Sequence, residues 1–171
     1  LKICLIGAGN VAHHLAKDLQ KAGHQIVQVV SKSSSAELLA TELNIDSYTT
    51  SLSEITSSAD FYLLAVNDDA IVSIAERLQL PDAAVVAHTS GSVSYEVLGK
   101  AAKHFGSFYP LQTFSKKSVV DINTVPFLFE GSDAYTRKLL KELALSISPN
   151  VDFVNSEKRK ALHVAAVFLN N

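Results

Sequence analysis

Short apolar runs alternate with helical patterns along this chain, and that alternation constrains its fold more than any other feature. Runs that predict strands lie at residues 2–6, 25–30, 47–50, 61–66, 83–87 and 107–109. Helices are predicted between them, at residues 11–22, 36–43, 70–79 and 95–104. In the first helix Val11, Leu15 and Leu19 share one face. Strands that alternate with helices in this way predict βαβ units and a parallel sheet.

The last third of the chain departs from this regular alternation. Residues 111–124 show no periodicity and are predicted to form an irregular loop of the kind that is often functional. Residues 125–130 and 151–154 are predicted to be two late strands with a helix at 133–145 between them. A final helix is predicted at 156–170.

Composition excludes several classes of protein. The chain has 171 residues, 47% of them hydrophobic, which suits one soluble globular domain with a fragment of a second. Its net charge is -2, without the clustered positive charge that predicts nucleic-acid or membrane binding. The single cysteine, Cys4, lies in an apolar run, so we expect a buried thiol and a reducing, cytoplasmic compartment. Because the chain begins with Leu1 and contains no methionine, its natural start is expected to lie upstream.

A glycine-rich turn joins the first predicted strand to the first predicted helix. Residues 7–12 follow the pattern G-x-G-x-x-A. Gly7 would permit the tight turn, Gly9 would let the backbone approach a pyrophosphate, and Ala12 would let the helix pack closely on the strand. The helix N–H groups and dipole would then favour the anion. The predicted phosphate site comprises Gly7, Ala8, Gly9, Asn10 and Val11; the alternative is a glycine-rich turn that binds no ligand.

The end of the second strand bears on which dinucleotide binds. Domains that prefer NAD usually place Asp or Glu there, about 20 residues past the glycines. This chain has Ser31, Lys32 and Ser33 instead, a lysine among hydroxyl groups. These residues favour NADP, whose 2′-phosphate they would hold. The alternative is a loop and helix cap in which Lys32 is solvated.

Polar residues also follow the later strands. Ala65, Val66 and Asn67 would line the nicotinamide side of a cofactor, although Asn67 is also suited to cap a helix. Ser90 would reach the nicotinamide or the substrate, but no base lies beside it in sequence to make it a nucleophile. His88 fits a strand-end histidine better than a catalytic one. The loop from Tyr109 to Phe114 would line a substrate pocket or pack as a surface loop.

The last helix carries a polar face. Arg159, His163, Val167 and Asn170 follow one another at spacings of four, four and three residues. His163 is suited to act as a general acid or hydrogen-bond donor near neutral pH, with Asn170 as a second substrate residue. The alternative is a solvated or interdomain face. The histidines show no paired spacing with carboxylates, so no metal site is predicted.

Five segments together resemble a known family: KICLIGAGNVAHHL, DFYLLAVNDDAI, VVAHTSGS, FYPLQTFS and RKALHVAAVFLNN. They look like a group of bacterial Rossmann-like proteins that is similar to pyrroline-5-carboxylate reductase and to the deazaflavin-dependent NADP oxidoreductases. The segments around Ser90, Pro110 and His163 are more specific to this group than the glycine turn.

The resemblance implies a two-part organisation. Residues 1–154 would form a Rossmann domain, a doubly wound and mostly parallel α/β sheet with two extra strands. Residues 155–171 would be the first helix of an all-helical domain of the 6-phosphogluconate dehydrogenase C-terminal class. Such domains usually form the dimer and complete the active site, so a homodimer is implied. Related β-hydroxyacid dehydrogenases carry Lys and Asn on this helix; here His163 and Asn170 occur without a matching lysine, which disfavours that reaction.

The residues and the resemblance together predict an NADP(H)-dependent oxidoreductase. It would transfer a hydride to or from a small carbonyl or imine substrate, with the chemistry carried by the cofactor. His163, Asn170 and Ser90 are the candidate catalytic residues. Two alternatives remain at this point: a dinucleotide-binding sensor or scaffold without catalysis, and a domain that binds another nucleotide-containing ligand.

Overall fold

The computed structural model describes residues 1–115 and 119–169, and within these ranges eight strands form one sheet. The strands are β1 (Lys2–Ile6), β2 (Gln25–Val30), β3 (Tyr48–Thr49), β4 (Phe61–Leu64), β5 (Val85–His88), β6 (His104–Pro110), β7 (Phe127–Gly131) and β8 (Val151–Phe153). The α-helices are α1 (Asn10–Lys21), α2 (Ser35–Glu42), α3 (Asp68–Ala75), α4 (Ala134–Leu145) and α5 (Ser156–Leu169). Short 3₁₀ helices lie at Leu52–Glu54, Tyr95–Lys100 and Ile122–Thr124.

The strand order is β3-β2-β1-β4-β5-β6-β7-β8, with every neighbouring pair parallel except β6 and β7. The order reverses between β1 and β4, because the chain returns from β3 to the other side of β1. In open α/β sheets a crevice forms at such a switch point, beyond the carboxyl ends of the strands. The predicted α/β fold, a doubly wound and mostly parallel sheet with two extra strands, is confirmed. The domain boundary between residues 154 and 155 stays a prediction.

Alternate residues of the central strands enter two separate cores. On β1, Ile3 and Leu5 join the cluster that packs under α1, α2 and α4, whereas Cys4 and Ile6 join the one that packs under α3. Since both faces of the sheet are covered, the strands read as continuous apolar runs rather than alternating ones. Burial raises the pKa of Cys4 to about 12, so its side chain remains a thiol.

The structure corrects several predicted element boundaries. The helix predicted at 95–104 is a 3₁₀ helix that ends at Lys100, and β6 already begins at His104. Pairing explains the early strand start, since Val85 of β5 lies opposite His104. Helix α3 ends at Ala75 rather than at residue 79. Its N-cap is Asn67, but that side chain makes no capping hydrogen bond. No helix in the described ranges is both long and apolar enough to cross a membrane.

Candidate functional site

A cavity of about 250 Å³ opens at the carboxyl ends of β1, β2 and β4, where the strand order reverses. Its lining includes eight residues that the sequence analysis assigned to the cofactor: Gly7, Ala8, Gly9, Ser31, Lys32, Ala65, Val66 and Asn67. The remaining lining residues are Ile6, Val30, Thr50, Leu52, Ala70 and Ile74. The fold therefore brings three separated segments of the predicted cofactor site to one place.

Gly7 is required by the close packing of the glycine turn. Its φ of +113° lies in the region that favours glycine. A Cβ at this position would lie 2.1 Å from the carbonyl oxygen of Ala65. The backbone N–H of Gly7 donates to the carbonyl oxygen of Val30 at 2.7 Å. The turn is thus wedged between the ends of β2 and β4, and a side chain at residue 7 has no room.

Gly9 has the opposite surroundings. A Cβ built on it would meet no atom within 4 Å, so the space beside this residue is open. Gly9 is the N-cap of α1, and the first turn of that helix contains no acidic side chain. The amide groups at a helix N-terminus attract anions through hydrogen bonds and the helix dipole. The turn therefore has the geometry of a phosphate cradle.

The two other predicted phosphate residues face away from this space. The side chain of Asn10 donates from Nδ2 to the carbonyl oxygen of Phe114 at 3.1 Å, which ties α1 to the loop after β6. Val11 is partly buried against the core under α1. Neither residue lines the cavity, so any role in phosphate binding would rest on their backbone N–H groups.

At the end of β2, Ser31 and Lys32 line the cavity and Ser33 does not. The hydroxyl of Ser33 lies 2.7 Å from that of Ser35, at the start of α2. Among the described residues that line the cavity, none is Asp or Glu. The carboxylate of Glu37, on α2, accepts a hydrogen bond from the Tyr48 hydroxyl at 3.0 Å. Lys32 thus faces the cavity without a competing acidic group in its lining.

Six lining residues were missed by the sequence analysis: Ile6 and Val30, which end β1 and β2, and Thr50, Leu52, Ala70 and Ile74. Thr50 directly follows β3, so the strand-end rule applied elsewhere would have found it. Leu52, Ala70 and Ile74 supply an apolar floor from a 3₁₀ helix and from α3. No local signal separates them from ordinary core residues, because their role depends on how these elements pack.

Beyond this cavity, the loop after β5 is organised by Ser90. The hydroxyl oxygen of Ser90 accepts hydrogen bonds from the backbone N–H of Val93 at 3.0 Å and of Ser92 at 3.1 Å. Ser90 is buried, and the hydroxyl of Ser92 donates to the carboxylate of Asp68 at the start of α3. The contacts of Ser90 shape the loop, and no base in the described residues is hydrogen-bonded to its hydroxyl.

His88, at the end of β5, is fully buried. Its Nδ1 accepts a hydrogen bond from the backbone N–H of Ser90 at 3.2 Å. Burial, with a smaller effect of the Arg159 charge, lowers the pKa of His88 to about 4. The imidazole is therefore neutral at physiological pH and acts as an acceptor for the loop, as expected of a strand-end histidine.

His163 meets the ends of β5 and β6. Its Nδ1 lies 2.8 Å from the hydroxyl oxygen of Tyr109. Its ring packs so closely on Gly91 that a Cβ there would lie 2.6 Å from Cγ and Nδ1. The segments around Ser90, Pro110 and His163, which carried the family resemblance, thus converge in space.

The predicted polar face of the last helix divides into different environments. Arg159 is fully buried and forms an ion pair with Glu130 of β7, so it belongs to the interior rather than to a substrate-facing surface. His163 is half-buried, and Val167 is exposed. Asn170 lies outside the described residues. In the described part of the chain no group of three or more His, Cys, Asp or Glu side chains is placed to hold a metal ion.

Several solved structures share this architecture. A Bacteroides fragilis protein provisionally assigned as an NADP oxidoreductase is 40% identical, with a TM-score of 0.90 over 98% of this chain and 66% of that one. A Thermotoga maritima protein is 27% identical, with a TM-score of 0.77 over 99% of this chain and 63% of that one. The chain thus spans slightly less than two thirds of both relatives.

More distant structures agree in fold. Pyrroline-5-carboxylate reductase from Streptococcus pyogenes is 16% identical, with a TM-score of 0.76 over 99% of this chain and 66% of that one. At this identity the likeness shows the fold alone. None of the functionally curated proteins compared with the chain matches it.

Two family models match parts of the chain. The one described as domain of unknown function DUF2520 matches residues 125–171, which include β7, β8 and α5. The model described as NADP oxidoreductase, coenzyme F420-dependent, matches residues 2–91, which hold the glycine turn and the whole lining of the cavity. The chain therefore belongs to this oxidoreductase family, as its sequence segments predicted.

Proposed function

We propose that this protein is an NADP(H)-dependent oxidoreductase that transfers a hydride to or from a small carbonyl or imine substrate. One observation carries the proposal: the phosphate-cradle turn, Lys32 and the β4 end line a single cavity at the switch point of the sheet. Family membership supports a dinucleotide in this cavity. The bound dinucleotide would supply or accept the hydride.

The cavity residues fit such a dinucleotide. The open space beside Gly9 and the N-terminal amides of α1 suit a pyrophosphate, which carries two negative charges close to the helix. The apolar floor formed by Leu52, Ala70 and Ile74 suits a flat heterocyclic ring. Ala65, Val66 and Asn67 would continue the site toward the nicotinamide.

The preference for NADP rests on the end of β2. The Lys32 ammonium group would pair with a 2′-phosphate, and Ser31 would add a hydroxyl donor. The hydroxyls of Ser31 and Ser33 both lie within hydrogen-bond distance of the Ser35 hydroxyl, at 3.1 and 2.7 Å. Ser33 does not line the cavity, so its contribution would be to shape the turn. The lining lacks a carboxylate among its described residues, and such a group would be needed to bind the ribose hydroxyls of NAD.

The substrate side would lie where α5 meets the ends of β5 and β6. His163 is the candidate donor to the substrate there, and Ser90 holds the loop that contacts it. Asn170, which follows α5 in sequence, stays the second candidate substrate residue. Val164, Val167 and Phe168 of α5 are exposed apolar side chains, which supports a proposed helical region that packs against them and forms a homodimer.

Calorimetric titration of the full-length protein with NADPH and NADH tests the cofactor. We expect NADPH to bind at least about ten times more tightly than NADH, and Lys32→Asp to abolish that preference. Lys103→Asp makes the same charge change at an exposed lysine beside the opposite, amino-terminal end of β6 and should keep the preference. Absence of binding by both nucleotides at millimolar concentration would refute the proposal.

Turnover separates an enzyme from a sensor. NADPH oxidation would be followed with small carbonyls, imines and the coenzyme F420 that the family description names. Binding of NADPH without turnover of any of them would favour a dinucleotide sensor. Displacement of NADPH by an adenosine nucleotide at lower concentration would favour a different nucleotide ligand.

A further inference from the structure

Three residues from distant parts of the chain form one contact group beyond the cofactor cavity: Gly91, Tyr109 and His163. Gly91 follows β5, Tyr109 lies near the end of β6, and His163 lies on α5. The group adjoins the cavity through α3, because Asn67 lines the cavity while Asp68 accepts a hydrogen bond from Ser92, next to Gly91.

Gly91 restricts where the His163 ring can lie. A Cβ on Gly91 would come within 2.8 Å of the His163 Cβ and within 2.6 Å of its Cγ and Nδ1. These atoms are close to the helix backbone, so rotation of the side chain cannot relieve such a clash fully. The imidazole therefore rests directly on the backbone of the β5 loop, with Nδ1 turned toward Tyr109.

Tyr109 and His163 share a hydrogen bond in which the tautomer of His163 decides which partner donates. Its side chain is buried, and burial together with the negative charge of Asp68 raises its pKa to about 12, so the phenol keeps its proton. Within the described part of the chain, His163 Nδ1 is the hydrogen-bond partner of the Tyr109 hydroxyl, at 2.8 Å. A protonated phenol in the protein interior favours donation to an acceptor at this distance, which here is Nδ1.

We propose that Tyr109 is a positioning residue that holds the singly protonated form of His163 as the Nε2–H tautomer, and that His163 presents this N–H to a carbonyl oxygen of the substrate. A neutral imidazole carries one proton, so an Nδ1 that accepts leaves Nε2 as the donor. The assignment of the proton is independent of the proposed function, whereas the assignment of the substrate rests on it.

This arrangement narrows the substrate class. As hydride reaches a carbonyl carbon, negative charge develops on the oxygen, and a fixed N–H donor stabilises that charge. The nitrogen of a protonated iminium has no lone pair to accept such a hydrogen bond. The reduced dinucleotide of the proposed function transfers the hydride to the carbonyl carbon and is oxidised, and the alkoxide oxygen takes its proton from solvent water. His163 keeps its own proton and acts as a hydrogen-bond donor to that oxygen. The site therefore favours a carbonyl compound over an iminium ion.

Nuclear magnetic resonance of the ¹⁵N-labelled, cofactor-free protein tests the proton assignment. Long-range ¹H–¹⁵N correlations distinguish a protonated from an unprotonated ring nitrogen, and loss of one signal set in His163→Gln identifies this residue among the six histidines. Above the titration range of histidine, we expect an unprotonated Nδ1 and a protonated Nε2. A protonated Nδ1 in the unaltered protein would overturn the proposal without requiring any variant to fold.

Two tyrosine variants test the role of Tyr109. Tyr109→Phe should shift the His163 Nδ1 signal and allow both tautomers. Tyr95→Phe removes a hydroxyl from a tyrosine whose ring packs on Phe105, and it should leave His163 unchanged. An unchanged His163 spectrum in a folded Tyr109→Phe protein would refute the positioning role.

Kinetics test the substrate class separately. His163→Ala should lower kcat for a reducible carbonyl compound by about 100-fold, whereas His163→Gln, which keeps an N–H donor, should retain more activity. Reduction of a permanently charged N,N-dialkyl iminium, which offers no acceptor to Nε2–H, should lose much less rate in His163→Ala than reduction of the matching carbonyl compound. An equal loss for both substrates would overturn the carbonyl assignment, and absence of any turnover despite the expected tautomer would refute the proposed function alone.

Discussion

The guanidinium of Arg159 donates from Nη2 to the backbone carbonyl oxygen of Val93 at 2.6 Å. Its Nη1 donates to the Ser107 hydroxyl at 2.8 Å and pairs with the carboxylate of Glu130. One fully buried side chain therefore links α5 to β6, to β7 and to the loop after β5. The same loop contains Gly91, so these contacts also help to hold His163 in place.

Removal of one partner of the Arg159–Glu130 ion pair should strongly lower the free energy of unfolding. Glu130→Leu would leave the Arg159 charge buried without its carboxylate, and we expect the free energy of unfolding to fall by about 3–5 kcal/mol. The double variant Glu130→Leu/Arg159→Met should lose less free energy of unfolding than Glu130→Leu alone, because no buried charge then remains. Denaturant unfolding measures both effects. Glu76→Leu, at an exposed pair with Lys100, is the control, and an equal loss there would contradict the prediction.

Stability should depend on the protonation of His88. Burial favours the neutral imidazole and lowers the pKa of His88 from its ordinary value of 6.5 to about 4 in the folded protein. Between these values the unfolded chain binds more protons, so the free energy of unfolding should decrease as the pH falls from 6.5 toward 4. His88→Asn keeps an acceptor for Ser90 without a titrating ring, so its profile should be flatter. If the free energy of unfolding decreases equally with falling pH in the unaltered protein and in His88→Asn, the role of His88 is contradicted.

The two glycines of the turn should respond differently to alanine. Gly7→Ala should destabilise the protein strongly, because its Cβ would lie 2.1 Å from the Ala65 carbonyl oxygen at a φ of +113°. Gly9→Ala should leave thermal stability almost unchanged, because a Cβ there meets no atom within 4 Å. It should still weaken NADPH binding by about tenfold or more, since the methyl group would occupy the approach of the pyrophosphate. Thermal melts and calorimetry on both variants provide the measurement, and unweakened binding by Gly9→Ala would place the phosphate elsewhere.

Gly91→Ala should displace His163 while the sheet stays folded. The new methyl group would overlap the base of the His163 side chain, so the ring would move away from Tyr109. We expect loss of the His163 Nδ1 hydrogen-bond signature and a decrease in kcat of at least about tenfold. Gly99→Ala is the matched control, because its Cβ would come no closer than 3.2 Å, to the ring edge of Phe105. A Gly91→Ala protein with the unaltered His163 spectrum would show that the contact does not position the ring.

Local sequence patterns were sufficient to predict most of the fold. The runs around Ile3, Phe61 and Val85 indicated central strands because a parallel sheet covered on both faces requires apolar side chains at every position. Gly7 and Gly9 marked the turn between β1 and α1. A side chain has no room at Gly7, whereas Gly9 leaves the open space that a pyrophosphate would need. The predicted boundaries of the elements were less accurate. For example, β6 begins at His104 because this residue pairs with Val85 of β5, and no local pattern indicates that pairing.

The amino-acid sequence by itself determined the βαβ order, the glycine turn and the polar residues at the strand ends, since each depends on neighbours along the chain. Only the tertiary structure decided which of those residues meet. The antiparallel register of β6 and β7 sets Glu130 opposite Ser107, and this places the carboxylate where Arg159 is buried. The pairing of Tyr109 with His163 likewise depends on where α5 crosses the strand ends. Contacts between residues far apart in sequence are set by packing and register, which no local pattern specifies.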